Sequence, residues 1–231
     1  MKEEGNTNGL KFQVKRSRRK TLGITIERDG SLVVRAPEKM RFPEIQRIVS
    51  DKSVWIYQKL AKKENIYHEK PKREFAPGQG FLYQGRSYRL KFIENSEGRP
   101  LRLRQGYFEL ARNERENARK HFADWYREKL KEQLRGRVVR YDQRLGVMAK
   151  DVKVSDLGHR WASCSHNGTL YFNWRSAMAP IGVFDYVLVH EMTHLIERSH
   201  TKKFWSLVSR VIPDYEERIR WLRQHGPDLD I

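Results

Sequence analysis

The sequence predicts an α+β fold, in which a β-rich N-terminal region is followed by a mainly helical region. Short β-branched runs between turn residues fill the first part, and near Asn113 the apolar spacing changes to the helical period of about 3.6 residues. The 231 residues, 38% of them hydrophobic, are enough to bury a core. We therefore expect a disordered tail at 1–10, a basic β-rich region at 11–111 and the helix-rich region at 112–231.

Turn residues in the first region predict hairpins. Two β-branched runs, 22–27 and 31–36, flank Arg28-Asp29-Gly30, whose Asp-Gly pair supplies the positive φ of a tight turn. Similar pairs of runs flank Gly85-Arg86 and Gln105-Gly106, so two more hairpins are expected.

Helical spacing of apolar residues predicts the remaining elements. One helix is expected from Pro43 to about Leu60, before a loop at 71–80. The helix-rich region should contain a long amphipathic helix from Asn113 through Leu134, and Gly136 and Gly146 punctuate the region after it. Strands are expected at 152–154 and 169–174, and helices at about 180–196, 201–212 and 215–223.

The net charge of +18 is confined to one part of the chain. Residues 1–150 hold 37 Lys and Arg against 19 Asp and Glu, whereas residues 151–231 hold 10 of each kind. Because phosphate contacts scale with surface Lys and Arg, one interpretation is a nucleic-acid partner for residues 1–150. The other is a solvated basic surface without a partner, since acidic residues are interspersed throughout.

Cysteine usage and hydropathy predict a soluble cytoplasmic protein that does not engage a membrane. The single cysteine, Cys164, cannot form an internal disulfide, which fits a reducing compartment. The N-terminus lacks an apolar signal segment, and no stretch approaches the roughly 18 apolar residues of a membrane span. The sequence does not indicate an oligomeric state.

A His-Glu-x-x-His motif at His190, Glu191 and His194 lies within a predicted buried helix. Residues four apart share a helix face with Cβ atoms about 5–6 Å apart, so both imidazoles can reach one zinc ion at about 2.0–2.1 Å. Glu191 projects roughly 100° away from His190, which suits a general base better than a ligand. The alternative is a pair of ordinary core histidines.

A catalytic zinc usually has three protein ligands and one open position, so a third donor is needed. We favour His200, which is separated from His194 by five residues and can turn back toward it, over Glu197, which should still lie on the helix. A structural zinc site closed by a fourth ligand is the alternative, and Cys164 is its candidate thiolate.

These ligands predict hydrolysis of a peptide bond in a protein or peptide substrate. Zinc lowers the pKa of a bound water from about 15.7 towards 7, and Glu191 would accept the proton. Weak candidates for the additional oxyanion donor are Tyr186, Arg160 and His159. The strand at 169–174 precedes the motif helix and is either an edge that pairs with an extended peptide or an interior strand.

Six stretches of the sequence match the pattern of a known protein family: Arg16 to Lys20, Gly30 to Pro37, Arg160 to Ser165, Asn173-Trp174, Tyr186 to Leu195 and His200 to Trp205. With them the chain, from about Phe12 to Leu222, resembles the YgjP-like metal-dependent hydrolase family, whose relatives include the SprT-like and WLM zinc peptidases. One departure is Ala162, where the family pattern has glycine after Arg-Trp.

The resemblance implies a zincin-like metallopeptidase domain at 112–231, with zinc on His190, His194 and His200 and with Glu191 catalytic. The SprT-like and WLM relatives digest proteins crosslinked to DNA. By analogy, the basic residues 1–150 could hold nucleic acid while the neutral remainder cleaves protein bound to it. Two other hypotheses stay open: a nucleic-acid-binding module with a structural or vestigial zinc site, and a hydrolase of another amide or ester.

Overall fold

The computed structural model describes residues 3–27, 31–57, 74–94, 98–158 and 160–231. The fold is α+β, as predicted, and it comprises two compact units, Met1–Pro71 and Lys72–Ile231. The division therefore lies at Pro71 and not at the predicted residue 111. The reason is that Phe81 and Phe108 of the predicted β-rich region share a core with Phe122.

The first unit is an open sheet with a helix after it. Its elements are β1 (Glu3–Thr7), β2 (Leu10–Ser17), β3 (Gly23–Ile26), β4 (Leu32–Pro37) and α1 (Phe42–Asp51), and the strand order is β1-β2-β4-β3. Residues 53–57 are also helical. The predicted turn at 28–30 and the end of the predicted helix near residue 60 lie outside the described residues.

The prediction of a disordered tail at 1–10 is wrong, because β1 pairs antiparallel with β2. Asn8 and Gly9 form the turn between these strands, with φ values of 51° and 76°. An Asn-Gly pair with two positive φ angles is typical of a type I′ hairpin turn, so the sequence contained a signal that the tail interpretation overlooked.

The second unit begins with β5 (Gly80–Tyr83), β6 (Arg86–Ile93), β7 (Leu101–Arg104) and β8 (Tyr107–Ala111), in the order β5-β6-β8-β7. The long helix α2 (Ala118–Leu145) follows a short 3-10 turn and continues through Gly136, which was expected to lie in the region after the helix. A helical glycine costs about 1 kcal/mol. Burial of Leu134, Tyr141 and Leu145 on the same helix offsets that cost, and α2 ends at Gly146 with a left-handed φ of 68°.

A second sheet of this unit contains β9 (Asp151–Ser155), β10 (Ala162–Cys164) and β11 (Thr169–Asn173), in the order β10-β11-β9. The strand predicted at 169–174 is therefore interior, and the interpretation of it as an open edge is wrong. The edge next to it is β10, which pairs antiparallel with β11 and was not predicted from the sequence. Ala162 lies in this strand with an ordinary negative φ, so the backbone there does not require the glycine of the family pattern.

The last helices are α3 (Ile181–Thr193), α4 (Lys202–Val211) and α5 (Tyr215–His225). Helix α3 is apolar on most of its circumference and is buried, as its position within the core requires. Asp185 is a buried carboxylate in the first turns of α3, and it accepts a hydrogen bond from Arg137 of α2. This ion pair ties α3 to α2. Among the described residues, no helix has the length and apolar content to span a membrane.

Candidate metal centre

His190 and His194 lie on one face of α3, at its C-terminal end. His190 is in the last turn, and His194 is the residue at which the helix closes, with φ −66° and ψ −13°. Their ring centroids are 5.0 Å apart. The geometry is that of an i, i+4 pair on a helix, as the motif predicts.

His200 returns to the same place from beyond the helix. Its Nε2 lies 3.0 Å from His190 Nε2, and one ligand atom from each of the three histidines lies within 4.8 Å of the others. The segment that carries His200 ends at Thr201, whose side chain accepts a 3.3 Å hydrogen bond from Phe204 N and caps α4. The structure thus brings the three predicted ligands together.

Two outer contacts orient the imidazoles on α3. His194 Nδ1 donates to the Glu197 carbonyl oxygen at 3.1 Å, and His190 Nδ1 shares a 3.2 Å hydrogen bond with the Tyr186 hydroxyl. When Nδ1 carries the proton in both rings, each Nε2 presents a lone pair. Such outer contacts fix the tautomer of metal-binding histidines.

Burial favours the neutral form of the helix histidines. It lowers the pKa of His190 to about 3, with further lowering from the charges of His194 and His200, and it also lowers the pKa of His194. Neutral imidazole is the form that binds a metal. Because ligand atoms in a tetrahedral zinc site lie about 3.3 Å apart, the 3.0 Å separation of the two Nε2 atoms fits a shared ion. Metal binding by these residues stays a prediction, and the donor set is suited to it.

Glu191 lies beside the histidines and does not belong to their group. Only 8% of the residue is exposed, and this burial raises its pKa to about 7 against the opposing effects of a Cys164 backbone hydrogen bond and the charge of Arg160. A carboxyl group with a pKa near neutrality can both accept and return a proton.

The competing ligands have other partners. The Glu197 carbonyl accepts from His194, and its carboxylate accepts a 3.2 Å hydrogen bond from Ser199 N. The Cys164 sulfur accepts from Arg198 at 3.7 Å, and burial raises the pKa of this thiol, which disfavours the thiolate. Neither residue belongs to the histidine group within the described part of the chain.

The candidate oxyanion donors differ in availability. The Tyr186 hydroxyl is bonded to His190 Nδ1, whereas Arg160 is exposed and close enough for its charge to act on Glu191. His159 lies outside the described residues. Of the two described candidates, Arg160 is the one whose side chain is open to a ligand.

Sequence reasoning missed the residue that holds the segment before β10. Asn173 is completely buried, and its Nδ2 donates to the carbonyl oxygens of Gly158 at 3.0 Å and Arg160 at 2.9 Å. These bonds set the entry of the chain into β10 and hence the position of Arg160. The matching pair Asn173-Trp174 marked this residue, but an isolated asparagine at the end of a strand carries no indication of its partners.

A buried helix with His-Glu-x-x-His, a third histidine returning to it and a flanking sheet define a domain of the metallopeptidase class. The model of the YgjP-like metallopeptidase domain family matches residues 20–225, and the chain belongs to this family. The resemblance seen in the sequence is thereby confirmed, and membership implies a metal-dependent peptidase.

The crystal structure of the metallopeptidase zymogen of Pyrococcus abyssi abylysin is similar to this chain at 23% identity, with a TM-score of 0.34, over 37% of this chain and 90% of that chain. The comparison with curated proteins finds no significant match.

Proposed function

We propose that the chain is a zinc-dependent peptidase in which His190, His194 and His200 hold the ion and Glu191 is the general base. The observation that supports this most directly is the convergence of three imidazole rings beside a buried carboxylate. Three histidines with a further open position are a common ligand set of catalytic zinc. Cobalt and other divalent ions also accept imidazole, so elemental analysis of purified protein is part of the test.

The reaction needs a base, an acid and a place for the peptide. A divalent ion held by His190, His194 and His200 would supply Lewis-acid chemistry, namely polarisation of the scissile carbonyl and a lower pKa for a water molecule. Glu191 accepts a proton as the water oxygen bonds to the carbonyl carbon, and it returns that proton to the amine nitrogen as the carbon–nitrogen bond breaks. Casein cleavage by zinc-loaded protein, with Glu191→Gln as the inactive control, tests this assignment.

The edge strand β10 is the proposed binding place for the peptide backbone. Asn173 N donates to Trp161 O at 2.8 Å, and Ser165 N donates to Thr169 O at 2.9 Å. Alternate residues of the segment 161–165 therefore direct their backbone N–H and C=O groups toward β11. In an antiparallel pair the residues between them direct N–H and C=O outward. Of the two outward residues, Cys164 supplies the backbone hydrogen bond to Glu191, and Ala162 remains for an added strand.

Substitution of Ala162 by proline is expected to raise KM for peptide substrates by about 10-fold, because it removes one outward N–H without removing a ladder bond to β11. The measurement is steady-state cleavage of a peptide, with zinc content determined in parallel. Ala162→Val is the matched control, since it also enlarges the side chain but keeps the N–H. Equal KM values for the proline and valine variants would argue against strand addition at β10.

A second proposal concerns nucleic acid and rests on charge. The whole excess of Lys and Arg lies in residues 1–150. In the C-terminal half of α2, exposed cations without an ion pair among the described residues are Lys131, Arg135, Arg140 and Arg144. This surface favours a polyanion, either as the carrier of a protein substrate or as the sole ligand of a binding module whose zinc is structural or vestigial.

Binding of single-stranded or duplex DNA is expected to weaken steeply with salt, by a factor of about 10³ or more between 50 and 200 mM if six or more phosphates are contacted. Fluorescence anisotropy over a salt series measures the slope. The peptidase hypothesis further expects DNA to stimulate cleavage of a DNA-bound protein, whereas the binding-module hypothesis expects no turnover of any peptide. Binding that is absent, or independent of salt, removes the nucleic-acid proposal.

A further inference from the structure

The three imidazoles are not held equally. His190 and His194 each have a hydrogen-bond partner on Nδ1, as described above, and both are at least partly buried. His200 is exposed, and within the described part of the chain its only hydrogen-bond contact is the one between its Nε2 and His190 Nε2. Its ring packs on Phe204 and stacks on Trp205 at a centroid distance of 5.7 Å. The placement of this ring therefore depends on the backbone that carries it.

That backbone is the third-ligand loop, residues 195–201, and Arg198 attaches it to the sheet. Arg198 Nη1 donates to the Ser165 carbonyl oxygen at 2.9 Å, and Nη2 donates to the His166 carbonyl oxygen at 2.9 Å. Nη1 also lies 3.7 Å from Cys164 Sγ. All three acceptors belong to the end of β10 or to the β10–β11 turn (residues 165–168). One side chain thus connects two segments more than 30 residues apart in sequence.

The chemistry of these contacts suits a fixed attachment. A guanidinium presents its donors in a rigid plane, so two parallel bonds to successive carbonyl oxygens define the orientation as well as the distance of the loop. Within the described residues Arg198 forms no ion pair with a carboxylate, and its hydrogen bonds there all reach the end of β10 or the β10–β11 turn. Arg198 is itself exposed, so the attachment rests on the convergence of its contacts at the end of β10 and the following turn, and not on burial.

We propose that Arg198 is a positioning residue of the metal centre, which holds His200 in place by tying the third-ligand loop to the β10–β11 turn. The proposal rests on the proposed function, in that it takes His200 as a metal ligand. It has a structural consequence: the edge strand proposed to bind the peptide and the loop that carries the third ligand move as one body.

The first test is zinc affinity of Arg198→Met, measured on metal-free protein by competition with a chromophoric chelator. Loss of contacts that orient a ligand typically costs 10- to 100-fold in metal affinity, and a loss of about that size is expected. Arg210→Met is the matched control, because Arg210 is an exposed arginine on α4 and the charge change is identical. Arg198→Lys keeps the charge but not the planar fork, so it should recover only part of the affinity.

A double-mutant cycle separates positioning from a general effect on folding. If Arg198 acts through His200, then Arg198→Met should weaken zinc binding in the parent protein but not in a His200→Ala background. The visible spectrum of the cobalt-substituted protein should shift in the same direction for the two single variants. Circular dichroism of each metal-free variant checks that the fold is retained. If Arg198→Met unfolds, Arg198→Lys takes its place, and its effect on zinc affinity is compared in the parent protein and in the His200→Ala background.

The outcomes distinguish the two proposals. Wild-type zinc affinity in Arg198→Met, or additive losses in the double variant, overturns the role of Arg198 and leaves the ligand set standing. Wild-type affinity in His200→Ala itself overturns the assignment of the third ligand, and the role of Arg198 with it. A loss in Arg210→Met equal to that in Arg198→Met shows an effect of charge and also overturns the positioning role.

Discussion

Replacing Glu191 by glutamine is expected to abolish peptide hydrolysis while leaving the metal content intact. The amide keeps the size of the side chain and can still accept a hydrogen bond from the Cys164 backbone, but it cannot take a proton from water. A positioned general acid or base contributes about 10²- to 10⁴-fold to a rate, and Glu191 would serve in both capacities. We expect kcat to fall by at least the lower of these factors.

The experiment compares kcat for casein and zinc content by elemental analysis in the same preparations. Glu197→Gln is the matched control, because it makes the same chemical change six residues away. Among the described residues, the Glu197 carboxylate accepts a hydrogen bond from Ser199 N and from no other group. Substantial activity in Glu191→Gln would contradict the proposed role. Loss of zinc in that variant would instead point to a part for Glu191 in holding the metal site together.

Substitution of His194 by alanine is expected to remove most of the affinity for zinc. Apparent binding free energies of structural zinc sites are about 10–16 kcal/mol for four ligands, so one ligand contributes on the order of 3 kcal/mol, or more than 100-fold. The remaining rings, His190 and His200, have Nε2 atoms 3.0 Å apart and would form a weaker two-ligand site. Activity should fall together with zinc occupancy.

Chelator competition and the thermal shift on adding zinc measure this loss independently of turnover. Zinc at 100 times its dissociation constant stabilises a folded protein by about 2.7 kcal/mol, and a variant with 100-fold weaker binding loses most of that increment. His166→Ala is the control, since His166 is exposed and only its backbone carbonyl contacts the third-ligand loop. Wild-type zinc binding by the His194 variant would refute the proposed ligand set.

The predictions from sequence were best where one helix decides the geometry. In α3, backbone hydrogen bonds place His190 and His194 on one face, so their spacing in the sequence sufficed to pair them. The cap at Thr201 is local for the same reason. The tail assigned to residues 1–10 was a failure of interpretation, because the Asn8-Gly9 turn was present in the sequence.

Other features were decided only by contacts between distant segments. The sequence favoured His200 over Glu197 without fixing the path of the chain between them and the helix. In the structure the third-ligand loop, bonded through Arg198 to the β10–β11 turn, brings His200 next to His190. The edge position of β10 in its sheet and the boundary at Pro71 likewise depend on which strands and aromatic side chains meet. Helical periodicity is a property of neighbouring residues, whereas loop return and strand order are set by tertiary packing, which no local pattern encodes.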